Sequence, residues 1–338
     1  MKYFIKRCGF QELGSVGADG KAKRGRYLMS SMNHEVVDFF PQLSKSIPND
    51  TALLALVPLY SGIKTYCNYV YHNSKYTGTT AKHPRNEYRI YLNNELENHT
   101  LYYAAEDIVI FRKSEKSSFD GEGRAEQFYY VDVLKDHASG DYIKMNRLIE
   151  AYPINGGYGM YDGVLDFFED RVALFEKGQK TTEVTVDKSV TDRILKTTDE
   201  NKQNLFNSAT FRDFVLAGYG NACAITGQIA QSVFGEGIDV VYIVPRDDGG
   251  DCMPSNGIAL CKKLSVDFVQ GKFTLSDNCE VMVHPESKDE ALLQYNMKQI
   301  RVPQSAFFRP DINNIHYHQS HIYGSFLKYY GGERNECD

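Results

Sequence analysis

The chain has 338 residues, of which 42% are hydrophobic and 24% are charged, and its formal net charge is −6. This length allows two domains of ordinary size, and the composition is that of a soluble globular protein. The net negative charge argues against a surface that is basic throughout, so any nucleic-acid contact must rest on local positive charge. No apolar run is long enough to span a membrane, and the N-terminus is too charged for a signal peptide. We therefore expect a cytoplasmic protein without membrane contact.

Residues 1–175 are predicted to be rich in β-strands. Short apolar runs are separated there by glycine, asparagine, serine and charged residues, a pattern that favours a barrel or a sandwich. The clearest runs are Ala52–Val57, Glu87–Leu92, Asp107–Phe111 and Gln127–Val133.

Two segments of this region carry side chains of the types that can donate hydrogen bonds to phosphates and base edges. The basic segment contributes Lys21, Lys23, Arg24 and Arg26. A polar loop and the strand after it contribute Lys75, Thr77, Thr79, Lys82, His83, Arg85, Asn86 and Arg89. The alternative is a solvated loop on a barrel that binds a ligand other than DNA, or no ligand at all.

The polar loop, with Thr77-Gly-Thr-Thr leading into the strand, is similar to a segment of EcoRII-type restriction enzymes. It lies in their N-terminal effector-binding domain. The resemblance covers residues 71–92. It implies a strand-rich pseudobarrel that grips the major groove of double-stranded DNA with its loops.

Polar residues dominate 176–204, which we interpret as a linker between domains with a helix around Val190 to Leu195. Beyond it, Phe211, Phe214 and Val215 recur at helical spacing. This predicts an amphipathic helix over 207–217.

The most informative stretch is 239–275, which has the layout of a one-metal nuclease finger. We predict a strand at Val240–Val244, a turn at Asp247–Gly250 and a helix at Leu260–Phe268, with Asn256 opening the second element. In such a finger the first strand ends in a general base, which a loop asparagine orients. The helix then supplies a ligand for the metal that bears the scissile phosphate.

Several spaced blocks surround this layout in a consistent order. They are Phe211-Arg-Asp-Phe-Val-Leu, Tyr219–Gly227, Tyr242-Ile-Val-Pro with Gly249-Gly250, Ser255–Cys261, Gly271–Leu275, and Arg309-Pro-Asp leading to His318. The region from about Gln203 to His318 thereby resembles the HNH endonuclease family, in the branch found in bacterial restriction enzymes. The resemblance implies a ββα-metal fold, phosphodiester hydrolysis with a divalent metal such as Mg²⁺, and a role in restriction–modification and phage defence.

The chain departs from the family pattern at its catalytic positions. Tyr242 stands where the pattern has the histidine base, Ser265 where it has a histidine metal ligand, and Val269 where an aspartate usually follows Phe268. A phenol with an ordinary pKa of about 10 is almost fully protonated at neutral pH, and a hydroxyl is a poor metal ligand. Losing the base alone costs about 10²- to 10⁴-fold in rate. Hydrolysis by this finger is therefore not expected.

Asn256 is retained, and Asp239 is the candidate metal ligand, although it cannot hold a catalytic ion alone. Tyr242 is favoured as a strand tyrosine without chemistry. Other groups have both a metal-binding and a structural interpretation, and the structural one is favoured for each. They are the turn carboxylates Asp247, Asp248 and Asp251; the histidines His284, His316, His318 and His321; and the thiols Cys223, Cys252, Cys261 and Cys279.

The sequence thus predicts an α+β protein: a strand-rich N-terminal pseudobarrel over 1–175, a polar linker over 176–204, and a smaller ββα-metal, HNH-like domain over 205–330. Its predicted function is double-stranded DNA binding of restriction-endonuclease type with an impaired nuclease module. A homodimer, or an active nuclease or methyltransferase partner, is an open possibility. One alternative is an active metal-dependent nuclease with ligands such as Asp239, Asp267 or His284. Another is a non-enzymatic interaction or regulatory protein.

Overall fold

The computed structural model describes residues 1–16, 22–24, 26–73, 86–91, 103–117, 125–152, 156–178, 183–197, 202, 204–229 and 237–330. The chain divides into two compact units, Met1–Leu205 and Phe206–Asp338. Among the described residues, no helix has the length and apolar character needed to cross a bilayer.

The first unit is built on a large mixed sheet. In the described part of the chain its strands are β1 (Lys2–Arg7), β4 (Tyr27–Ser30), β5 (Thr51–Pro58), β6 (Lys64–His72), β7 (Glu87–Tyr91), β8 (Ile108–Ser117), β9 (Ala125–Leu134), β10 (Tyr158–Asp162) and β11 (Val184–Thr185). Their order is β10-β1-β8-β9-β5-β6-β7-β4, with β11 paired to β6. The short strands β2 (Ser15–Val16) and β3 (Ala22–Arg24) pair with each other.

The sheet is curled and open rather than closed. Its neighbouring strands are antiparallel except where β5 meets β9 and where β11 meets β6. Within the described ranges the end strands β10 and β4 are not paired with each other. The unit is therefore a half-barrel, which agrees with the prediction of a strand-rich region.

Alternation along the strands gives the sheet an apolar core on each face. On one face Phe4, Tyr69 and Tyr129 pack with Phe39 and Phe40 at the end of α1 (His34–Phe39). The opposite face is covered by α2 (Gly140–Ala151) and α3 (Asp166–Gly178), which bury the apolar side chains Tyr142, Met145, Ile149, Phe168 and Val172. Neither α2 nor α3 was predicted from the sequence.

The stretch interpreted as a linker contains ordered structure that belongs to the first unit. Its strand β11 lies parallel to the start of β6, with Thr185 opposite Thr65. Helix α4 (Lys188–Leu195) follows directly, and the side chain of its N-cap residue Asp187 accepts a hydrogen bond from the Ser189 amide.

The second unit is assembled from short elements. In the described ranges they are α5 (Ser208–Gly218), β12 (Ile238–Tyr242), β13 (Gly257–Cys261), α6 (Lys262–Val269), β14 (Phe273–Leu275), β15 (Val281–Val283), α7 (Glu290–Leu293), α8 (Ile312–His321) and α9 (Phe326–Tyr330). The side chain of Asn207 caps α5 by accepting from the amides of Ala209 and Thr210. Strands β12 and β13 form an antiparallel pair, and so do β14 and β15.

Candidate functional site

The segment Ile238–Val269, which we call the finger, is a two-stranded antiparallel hairpin followed at once by a helix. Tyr242 is opposite Gly257 in the hairpin, and Asp239 is opposite Leu260. Helix α6 begins at Lys262, directly after β13 ends at Cys261. This order brings the predicted positions Asp239, Tyr242, Asn256 and Ser265 into one small region.

Asn256 is a structural brace of the loop that joins the two strands. Its amide oxygen accepts from the Val244 amide at 2.8 Å, and its amide nitrogen donates to the carbonyl oxygens of Val244 at 3.0 Å and Asp251 at 2.9 Å. The side chain is almost fully buried. Because the amide is fully engaged with the backbone, Asn256 holds the loop and does not contact Tyr242 through these bonds.

Two glycines permit close packing around this brace. A β-carbon at Gly250 would overlap the carbonyl oxygen of Val244 and lie 2.8 Å from the amide nitrogen of Asn256. A β-carbon at Gly257 would meet the side chains of Val215 and Phe211 on α5, at 2.5 and 2.8 Å. The loop and the α5 contact therefore both require the absence of a side chain.

Tyr242, at the predicted base position, is held by packing contacts. Its ring stacks on the ring of Phe211 with centroids 4.1 Å apart and planes 5° from parallel. Its hydroxyl lies 3.6 Å from the sulfur of Cys252. Through the ring stack, Tyr242 supports α5.

Ser265, at the predicted ligand position, is engaged by its neighbours. Its hydroxyl lies 2.9 Å from a carboxylate oxygen of Asp239 and 2.7 Å from the carbonyl oxygen of Lys262. The residue is 4% exposed. The structure thus brings Asp239 and Ser265 together, as a hydrogen-bonded pair between β12 and α6.

The side chains present do not fit the catalytic divalent ion that the family resemblance implies. Among the described residues no group of three or more histidine, cysteine, aspartate or glutamate side chains is placed to hold a metal. The alternative ligand Asp267 is buried and forms ion pairs with Lys263 at 3.1 Å and Lys272 at 2.8 Å. His284 packs between Tyr323 and Phe326, and its Nδ1 accepts from the Glu286 amide.

His318 is a buried structural histidine. Its Nε2 donates to the carbonyl oxygen of Phe268 at 3.2 Å, so Nδ1 accepts from the Thr274 hydroxyl at 2.9 Å. Its ring stacks on Phe268 with centroids 3.9 Å apart. Burial lowers the pKa of His318 to about 4, so the ring is neutral at physiological pH. The other two histidines of α8 are exposed: His316 pairs with Asp277, and His321 stacks on Tyr317.

The remaining candidate ligands also have local roles. The Asp251 carboxylate accepts from the Met253 amide, while Asp247 and Asp248 lie on an exposed turn. The thiols Cys223, Cys252, Cys261 and Cys279 are all free. A hydrogen bond with the thiol of Cys261 holds the pKa of Cys223 below its ordinary value.

Most of the predicted DNA-contact side chains lie outside the described residues. These are Lys21, Lys75, Thr77, Thr79, Lys82, His83 and Arg85, while Lys23 and Arg24 are described only as backbone in β3. Of the rest, Arg26 stacks over the ring of Tyr103 at 4.5 Å and donates to its carbonyl oxygen. Asn86 is exposed and accepts a hydrogen bond from the Tyr71 hydroxyl.

Arg89 belongs to a cluster that we call the arginine–tyrosine face, formed by Tyr27, His72, Arg89, Tyr91 and Arg193. The Arg89 guanidinium lies 4.1 Å from the ring centroid of Tyr27, pairs with Glu87 and donates to the Tyr91 hydroxyl. On α4, Arg193 lies over the ring of Tyr91 at 3.7 Å. Tyr91 also hydrogen-bonds with His72. Tyr27 and Arg89 are buried, whereas Tyr91 and Arg193 are half-buried.

Sequence reasoning found Arg89 and missed the other four members of this face. A usable signal was present in Glu87-Tyr-Arg-Ile-Tyr91, because alternation along a strand puts residues 87, 89 and 91 on one side. Arg193 had no local signal, since it reaches Tyr91 only through the docking of β11 and α4 on the sheet.

Comparison with solved structures finds weak structural likenesses. A solved structure titled modification-dependent TagI restriction endonuclease is similar to this chain, with 16% identity and a TM-score of 0.28. The match covers 64% of this chain and 76% of that one. A TM-score of this size does not establish a common fold. No protein-family model and no curated protein matches the chain.

Proposed function

We propose that this protein binds double-stranded DNA as a restriction-endonuclease-type protein whose HNH-like finger does not hydrolyse phosphodiesters. One observation carries the proposal. The hairpin and helix of such a finger follow each other in the expected order, while the side chains at the predicted catalytic positions are engaged in local contacts. Tyr242 is stacked on Phe211, and the Ser265 hydroxyl is hydrogen-bonded to Asp239. The hydrogen bonds of Asn256 with the backbone hold the loop, a structural role that does not depend on catalysis.

The first unit supplies the candidate for DNA recognition. Exposed Asn86 immediately precedes β7, and the same strand contributes Arg89 and Tyr91 to the arginine–tyrosine face. Guanidinium groups bind phosphates and guanine edges, and aromatic rings fix their orientation. We also propose that the remaining predicted residues, on the segments around 21–26 and 75–85, contact DNA. In this proposal the second unit serves as a DNA clamp, or as the surface that binds a second copy or a nuclease or methyltransferase partner.

Duplex binding is tested with the purified full chain and a fluorescein-labelled duplex of mixed sequence. Fluorescence anisotropy across about 50 to 200 mM salt gives the slope of log affinity against log salt, which falls by about 0.9 for each phosphate neutralised. We expect measurable binding with a negative slope. Absence of duplex binding at low salt would refute the DNA-binding part.

The catalytic part is tested with supercoiled plasmid and Mg²⁺, Mn²⁺ or Ni²⁺. We expect no nicking by the native chain. The variant with both Tyr242→His and Ser265→His restores the family's residues, and nicking by this variant alone would support a finger that lost its chemistry by substitution. Nicking by the native chain would refute the proposed inactivity and favour the alternative of a nuclease with non-standard ligands.

A further inference from the structure

The arginine–tyrosine face is completed by a helix from outside the predicted recognition region. Strand β11 lies parallel to the first residues of β6, with Thr185 opposite Thr65, whereas β7 pairs with the later part of β6, where Tyr91 is opposite Asn68. The helix that follows β11 therefore starts close to the end of β7. This placement brings the guanidinium of Arg193 to 3.7 Å from the ring centroid of Tyr91.

The two arginines of the face differ in how their charge is balanced. Arg89 pairs with the carboxylate of Glu87. Across the described ranges, Arg193 has no carboxylate oxygen within 4.0 Å, and its contact is with the Tyr91 side chain. Burial lowers the pKa of Arg193, since the charged form has lost part of its water. A partly desolvated cation without a counter-ion is stabilised by an incoming anion.

The geometry favours an oxyanion with two adjacent acceptor oxygens over a chloride ion. The ring of Tyr91 covers one side of the Arg193 guanidinium. The centroid of that ring lies 6.0 Å from the ring centroid of its cross-strand neighbour Tyr27, over which the Arg89 guanidinium lies. A guanidinium held in one plane can donate two parallel hydrogen bonds to two oxygens of one phosphate. The residue is half-buried, so part of the group remains open to solvent.

We propose that Arg193 binds a backbone phosphate of the duplex, which makes α4 part of the DNA-binding surface rather than a plain connection. This inference rests on the proposed function, because it assigns a further contact to the same surface. The competing role is structural: the stack on Tyr91 would simply dock α4 on the sheet. The two roles differ in salt dependence, since only a phosphate contact releases counter-ions.

The test compares Arg193→Gln with Arg193→Lys and with the matched control Lys188→Gln, which removes an exposed charge at the start of the same helix. For Arg193→Gln we expect affinity for the mixed-sequence duplex to fall about tenfold, and the salt slope to become shallower by about 0.9. Arg193→Lys keeps the charge and should retain most of the slope. Lys188→Gln should change neither quantity appreciably.

The outcomes separate this inference from the proposed function. If the native chain binds the duplex and Arg193→Gln has the same slope, the phosphate contact is refuted while DNA binding stands. The same conclusion follows if Lys188→Gln lowers the slope as much. A loss of affinity with unchanged slope and a lowered melting temperature identifies the structural role. If the native chain does not bind duplex DNA, both proposals fail.

Discussion

The arginine–tyrosine face of the first unit and the finger of the second unit differ in how their polar side chains are paired. On the face, Arg193 is stacked on a ring and has no carboxylate partner among the described residues. In the finger, the Ser265 hydroxyl is hydrogen-bonded to Asp239, and Asp267 is held between two lysines. A charged group without an internal counter-ion can pair with a charged ligand, whereas one that is paired internally contributes to the fold. In our proposal, binding therefore belongs to the face, while the finger contributes to the fold.

The largest effect is expected at Asn256, because its side chain makes three hydrogen bonds to backbone groups while buried. For Asn256→Ala we expect the local free energy of unfolding of the finger to fall by about 3 kcal/mol. Hydrogen-exchange mass spectrometry on peptides from 238–269 measures it in the full chain. Asn313→Ala, at an exposed site on α8, is the control and should change little. Equal exchange in the two variants would contradict an architectural role for Asn256.

The next effect is a pH dependence that arises from His318. Its pKa is about 4 in the folded chain against an ordinary value of 6.5, so the unfolded chain binds more protons between these values. Titration of His318 therefore leaves the free energy of unfolding unchanged above about pH 6.5. As the pH drops from there towards 4, it lowers that free energy by at most about 1.4 kcal/mol per pH unit. Thermal unfolding followed by circular dichroism should show this slope, and His318→Gln should flatten it. His321→Gln, exposed on the same helix, should keep it; an unchanged slope in His318→Gln would refute the assignment.

A smaller effect is expected when the hydroxyl that faces Asp239 is removed. Ser265→Ala deletes one hydrogen bond next to a half-buried carboxylate, which we expect to cost about 1 kcal/mol in the free energy of unfolding. Ser320→Ala on α8 is the exposed control. If Ser265→Ala instead leaves stability unchanged and alters metal-dependent nicking, the pair belongs to a catalytic site and the comparison fails.

The smallest effect concerns the ring beneath Arg193. Tyr91→Phe keeps the ring and removes the hydroxyl, whereas Tyr91→Leu removes both, so the difference between the two variants measures the contribution of the ring, which contacts Arg193 and Tyr27. We expect about 0.5 to 1 kcal/mol in the free energy of unfolding, the range for partly exposed cation–π pairs. Chemical denaturation of the full chain measures it. A difference near zero would mean that the ring does not orient the guanidinium.

Local patterns predicted the elements better than their assembly. The strand expected at Ala52–Val57 is observed at Thr51–Pro58, and the helix expected over 207–217 is observed at Ser208–Gly218. Helix α2 was missed although Tyr142, Met145 and Ile149 follow helical spacing after the N-cap Ser139. The helical spacing was therefore present in the sequence, but the whole region had been interpreted as rich in strands.

Contacts within the candidate site were beyond the reach of sequence patterns. The stack of Tyr242 on Phe211 joins residues far apart in the chain, and the pairing of Ser265 with Asp239 depends on how α6 packs against β12. Such contacts are set by tertiary packing, for which spacing along the chain carries no information. The sequence drew attention to Tyr242 and Ser265, but the contacts of their side chains could not be predicted from it.

The tight fit at Gly250 has a consequence for mutational scanning. Any residue other than glycine places a carbon atom on the carbonyl oxygen of Val244, whatever the protein is selected to do. A library screened for survival, expression or solubility should therefore return glycine at this codon. Rejection of every substitution at position 250 would resemble the pattern of an active-site residue. Its cause, however, is the lack of space beside the peptide group of Val244.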